Sequence, residues 1–276
     1  MRSTTKGFGL APAAILCSVL GLGPALGWAQ QSGSDLPRLA DGHPDLSGTW
    51  DNGSGIDFVR PQQVGESVCV VGCGPSAAPP PQAANRAPPP RPSRPEYRPE
   101  VAARVADLAA RQVAEDPVLR CMAPGVPRIG PPDKIVQRAG EAVFLYEDVS
   151  GSFFRIVPTD GRPHPTNNEP SYLGDAVGHW EGDTLVVETV NFNDQTWLTD
   201  NGAFHTGDLR VVERLRRTAD TLEWEATASD PAVLTEPWQV AKRVAELTDL
   251  EIVESPPCID RSLEHMVDDS HHTNPR

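Results

Sequence analysis

Two histidines and one carboxylate stand where proton-transfer chemistry would need them. His205 lies in His205-Thr206-Gly207-Asp208, at the end of the polar segment Asn191 to Gly207. Loops beyond about 12–15 residues are uncommon and often functional. A histidine titrates near neutral pH, so His205 is the expected general acid or base, oriented by Asp194 or Asp208. His164 sits between Pro163 and Pro165, which restrain its backbone, and is the expected second proton-transfer group. Glu213 interrupts the apolar face of the next strand-like segment, where a carboxylate is costly unless paired or used. Trp197, Asn193, Arg162 and His179 are the expected substrate contacts, although His179, two residues from Val177, reads first as an inward core histidine satisfied by one hydrogen bond.

Other chemistries find no motif. The spacings of His164, His179 and His205 match no metal site, and there is no Cys-x-x-Cys pair. There is no Gly-x-Ser-x-Gly, phosphate loop, dinucleotide fingerprint or His-Glu-x-x-His. Neither a metal nor an organic cofactor is expected.

The elements that would position these groups are mostly strands. Asp208 to Arg217 alternates Leu209, Val211 and Leu215 against Arg210, Arg214 and Arg216. Thr184 to Val190 is rich in β-branched residues, and Glu181-Gly182-Asp183 before it suits a tight hairpin turn. Similar segments at 134–138, 142–147, 153–158, 175–180, 221–228, 238–247 and 250–254 bring the expected count to ten with the strand ending at Trp50. Residues 98–115 carry one buried helical stripe through Val101, Val105, Leu108 and Ala109. Such a series predicts a mostly β fold: an antiparallel lipocalin-like barrel or closed sandwich with one flanking helix. Gly48-Thr49-Trp50 also begins the first strand of lipocalin-like barrels.

The chain divides into five stretches. Residues 1–29 have Arg2 and Lys6, an apolar run and small residues at Gly27 and Ala29, the pattern of a secretory signal peptide. Residues 30–60 hold the first strand, and 61–99 form a proline-rich linker or insertion. Residues 100–260 hold the helix and barrel, and 261–276 a flexible tail. The expected location is the periplasm or the medium. Without residues 1–29 the formal charge is 22 − 38 = −16, which disfavours nucleic acid and anionic membranes. No membrane insertion is expected, and nothing specifies an oligomeric state. The remaining cysteines, Cys69, Cys73, Cys121 and Cys258, are expected to pair as Cys69–Cys73 and Cys121–Cys258.

The segments PDLSGTW (44–50), DPVLRCMAPGVPR (116–128), DGRPHP (160–165), VGHWEGDTLVVETVNFND (177–194), TWL (196–198) and HTGDLRVVERLRR (205–217) carry a resemblance. The chain resembles a large group of uncharacterised secreted bacterial proteins. The resemblance implies export and a single β-rich domain, and assigns no catalytic role.

Two functions follow as expectations. The first is an exported lyase, isomerase or hydrolase acting on a small organic molecule by acid/base chemistry. The second is a non-catalytic binding protein for an apolar or aromatic ligand. A third, an envelope interaction domain on a proline-rich arm, would show no cavity.

Overall fold

The computed structural model describes residues 36–52, 62–64, 67–69, 94–148, 150–254 and 258. The expected signal peptide, the tail and the Cys69–Cys73 bridge, for which Cys73 is needed, lie outside them.

The strands are β1 (Gly48–Asp51), β2 (Gln62–Val64), β3 (Ser67–Cys69), β4 (Lys134–Arg138), β5 (Glu141–Asp148), β6 (Gly151–Pro158), β7 (Asp175–Glu181), β8 (Thr184–Val190), β9 (Arg210–Thr218), β10 (Thr221–Ser229), β11 (Trp238–Gln239) and β12 (Arg243–Thr248). Ten of them form one antiparallel sheet in the order β6-β5-β4-β1-β12-β10-β9-β8-β7, with β11 also on β10. The sheet curls into a nearly closed barrel, and β6 and β7 meet at its seam. At one end of the seam Gly161 N donates to Gly178 O at 2.9 Å. A Cβ on Gly178 would stand 3.3 Å from Val157 Cγ1, so a glycine lets the two edges approach.

Period-two alternation sets which side chains enter the barrel. On β9, Val211, Glu213, Leu215 and Arg217 are buried between exposed Arg210, Arg214 and Arg216. Phe144 and Tyr146 of β5, Leu185 and Thr189 of β8, and Leu222 and Trp224 of β10 join them inside. Trp50 is fully buried, donates Nε1 to Leu46 O at 3.0 Å, and has the Arg217 guanidinium 5.2 Å from its ring. The inner face is thus an apolar core interrupted by a few polar groups.

The flanking helix is α1 (Ala102–Ala110), preceded by a 3-10 turn at 99–101 and followed by the short α2 (Gln112–Glu115). Val101, Val105 and Leu108 pack on the core. Among the described residues no helix is long and apolar enough to cross a membrane.

Two expectations are corrected. The segment expected as one strand over 238–247 is two, because Gln239 pairs with Thr227 while Arg243 pairs with Trp224. Four steps on one side face three on the other, which is a bulge. Residues 250–254 form no strand: both edges of β1 are taken by β4 and β12, and Val253 N instead donates to Glu147 Oε1 at 2.6 Å. Within the stretch expected as a linker or insertion, β2 and β3 pair, and Tyr97 Oη donates to Phe204 O at 2.6 Å.

Candidate functional site at the barrel seam

A cavity of about 600 Å³ lies where β6 and the segment leading into β7 fail to pair. Phe153, Phe154 and Ile156 of β6 form one wall, Tyr172, Leu173 and Ala176 another, and Met122 and Ala123 a third. Its volume lies within the roughly 300–1,000 Å³ typical of small-molecule sites. The lining is chiefly apolar because β6 is apolar on both faces. Phe154 and Ile156 are 63% and 54% exposed at its mouth. Cys121 also lines it and is joined to Cys258, with Cα atoms 5.5 Å apart, so the expected bridge is present and anchors that wall.

Among the described residues one charged side chain lines the cavity. Arg155 points inward between Phe153 and Val157 and is buried. Its Nη1 donates to Tyr146 Oη at 3.1 Å and its Nη2 to Thr189 Oγ1 at 2.7 Å. Nη2 also lies 2.6 Å from Glu213 Oε2. Glu213 is 0% exposed, and its Oε1 accepts the Trp224 indole N–H at 3.1 Å. Strands β5, β6, β8, β9 and β10 therefore each give one side chain to a single polar cluster inside the barrel. The Arg155–Glu213 contact is ionic without hydrogen-bond alignment, so Arg155 Nε and Glu213 Oε2 remain buried with no hydrogen-bond partner. Burial works against the Arg155 charge, but Glu213 and Tyr146 outweigh it and raise its pKa above the ordinary value. Burial pushes the Tyr146 phenol well above its usual range and keeps it neutral.

The expected acid, His205, sits elsewhere. It is 1% exposed. Its Nδ1 lies 2.8 Å from Thr206 O, an acceptor only, so Nδ1 carries the proton. Nε2 then accepts from Thr196 Oγ1 at 2.7 Å. Burial is the main cause of its lowered pKa, opposed by the Thr206 carbonyl and by Asp230 and Asp194. Neither Asp194 nor Asp208 hydrogen-bonds the ring among the described contacts; Asp230 instead takes the Thr206 N–H at 2.6 Å. The long loop has a structural reason for its length. It folds back on itself, with Leu198 N donating to Ala203 O at 2.7 Å. Gly202 then touches α1, where a Cβ would stand 2.5 Å from Val105 O.

The remaining expected residues are dispersed. His164 Nε2 stands 3.3 Å from Glu188 Oε1, and His179 Nε2 3.3 Å from Glu181 Oε1. Glu188 alternates with buried Val187 and Thr189 and faces outward. Gly178 pairs with inward Val187, so His179 is on the outer face and not in the core. Arg162 is exposed and bonded to Asp160. Trp197 is a core residue. Asn193 fastens its loop by donating its N–H to Ser171 O at 2.8 Å, and Asp194 is exposed. Of the expected catalytic and substrate groups only Glu213 belongs to the cluster beneath the cavity, through Arg155.

A second pocket of about 520 Å³ is lined by Arg94, Arg128, Lys242 and Arg243 with Asp200. Arg128 is held in a bidentate pair by buried Asp116, and Lys242 pairs with Glu223. Among the described residues no group of three or more histidine, cysteine or acidic side chains could hold a metal.

The fold and site define a class: an antiparallel β-barrel, nearly closed, with an apolar cavity opening at the seam and a charge-balanced cluster at its floor. No family model, no curated protein and no solved structure matches this chain.

Proposed function

We propose that this is an exported binding protein for an apolar small molecule, held in the seam cavity. One observation carries the reading: a cavity of small-molecule size, walled by Phe153, Phe154, Ile156, Met122 and Leu173, has, among the described residues, a single buried guanidinium in its lining. An apolar body would be held by burial, worth about 25 cal/mol per Å², and Arg155 would fix one end. The acid/base reading has less support, because His205 is buried with both ring nitrogens bonded and does not line the cavity.

The test is a titration with N-phenyl-1-naphthylamine, a neutral dye that brightens in apolar surroundings. Wild-type protein should bind it saturably. Ala176→Phe, which puts a ring into the cavity, should weaken binding at least about tenfold while the fold stays intact by circular dichroism. Equal affinity for both proteins would place the dye elsewhere and count against the reading.

A further inference from the structure

We infer that the seam cavity selects a neutral, hydroxyl-bearing apolar molecule over its carboxylate counterpart, through the charge-balanced Arg155–Glu213 pair. The inference rests on the binding reading above and adds the chemistry of the head group.

A lone buried arginine would call for an anionic ligand. Here the anion is already built in, because Glu213 Oε2 lies 2.6 Å from Arg155 Nη2. A ligand carboxylate beside Arg155 would leave three charges of net −1 around a buried pair. Desolvating such a charge without its own counter-ion is strongly unfavourable. Tyr146 and Thr189 offer it no cation; they are neutral and already accept from Arg155.

The two orphaned atoms point the same way. Arg155 lines the cavity and its Nε is a buried donor without a hydrogen-bond partner, while Glu213 Oε2, 2.6 Å from Nη2, is a buried acceptor without one. Leaving such groups unmet costs about 1–3 kcal/mol each. A hydroxyl oxygen can accept from Arg155 Nε without adding charge, and its proton is left to donate. A carboxylate only accepts, and it would face Glu213 with like charge. The cavity walls then fix the rest of the molecule as apolar.

The sequence supports this arrangement and explains why two charged residues persist inside. Arg155 falls on the inward face with Phe153 and Val157, and Glu213 on the inward face with Val211 and Leu215. Across the barrel each is the other's counter-ion, and neither needs a ligand to be neutralised. What remains unmet is hydrogen bonding alone, which is the property a neutral head group supplies.

The experiment displaces bound N-phenyl-1-naphthylamine with 1-decanol and with decanoate at pH 8, in wild type and in Glu213→Gln. Wild type should favour decanol. In Glu213→Gln the built-in anion is gone, and decanoate should gain at least about tenfold relative to decanol, from a unit charge moved next to an unopposed guanidinium. Both proteins meet the same two ligands, so differences in ligand solubility cancel in that ratio. A ratio that stays within about twofold, or a wild type that prefers decanoate, overturns the inference while the binding reading stands. If neither dye nor displacers bind wild type, the binding reading fails and the inference with it. Should Glu213→Gln not fold by circular dichroism, the same ratio is read in Glu213→Met, which also removes the anion while filling its volume.

Discussion

Arg155 Nη2 and Glu213 Oε2 meet at 2.6 Å inside the barrel, although 58 positions separate them in the chain (213 − 155). Removing one partner leaves a buried charge unopposed, which typically costs about 3–5 kcal/mol. Arg155→Met and Glu213→Gln should each destabilise on that scale. The double variant should cost far less than the sum. Urea melts of the four proteins measure this; additive losses would mean the pair is not coupled.

His205 is a fastener in this structure. His205→Ala should cost about 1–3 kcal/mol from the lost Thr196 and Thr206 bonds, with dye affinity unchanged. Burial lowers its folded-state pKa. Below about pH 6.5 the unfolded chain therefore takes up a proton that the folded chain resists. Wild type should lose stability as pH falls through that range, and the gap to His205→Gln should narrow. A gap that widens on acidification would contradict the assignment.

Asp133 should show the opposite sign. It is buried, accepts from Asn52 Nδ2 at 3.0 Å and from Glu147 N at 2.7 Å, and is pushed up to about 7, chiefly by burial. Between its ordinary value of 3.8 and about 7 the folded state holds the extra proton. Stability from this group is thus present at low pH and lost as pH rises through 7. Wild type measured against Asp133→Asn should lose ground from about pH 4 to pH 7 and level off above it. A difference that is flat with pH would show that Asp133 titrates normally.

Cys121 and Cys258 close a loop of 137 residues. By chain entropy such a link contributes about 4–5 kcal/mol. The Cys121→Ser/Cys258→Ser protein should melt earlier by an amount matching that loss. It should also bind the dye more weakly, because Cys121 forms part of the cavity wall. Unchanged dye affinity would detach that wall from the site.

Much of the barrel is legible in the sequence because β9 and β10 alternate cleanly and their turns are short. Glu213 was legible too, as a carboxylate on an apolar face. Its partner was not. Phe153-Phe154-Arg155-Ile156-Val157 is apolar on both faces, so alternation cannot tell which face Arg155 shares. The signal available was a pair of opposite charges, each breaking an apolar run on a different strand. His205 misled through loop length, because the polar loop is a folded-back hairpin that grips α1. The cavity has no motif at all. It arises where β6 and the approach to β7 stop pairing, a relation between residues about 20 positions apart that no local pattern records.

On the proposed function an apolar ligand sits at the seam between β6 and the approach to β7. Photolabelling with a neutral alkyl diazirine alcohol, followed by peptide mass mapping, reads the position directly. Label should fall on peptides carrying Phe153 to Ile156 and Tyr172 to Ala176, and excess 1-decanol should remove it. Label spread over exposed Val136 and Val244 on other strands, or label that decanol does not compete away, would contradict the claim.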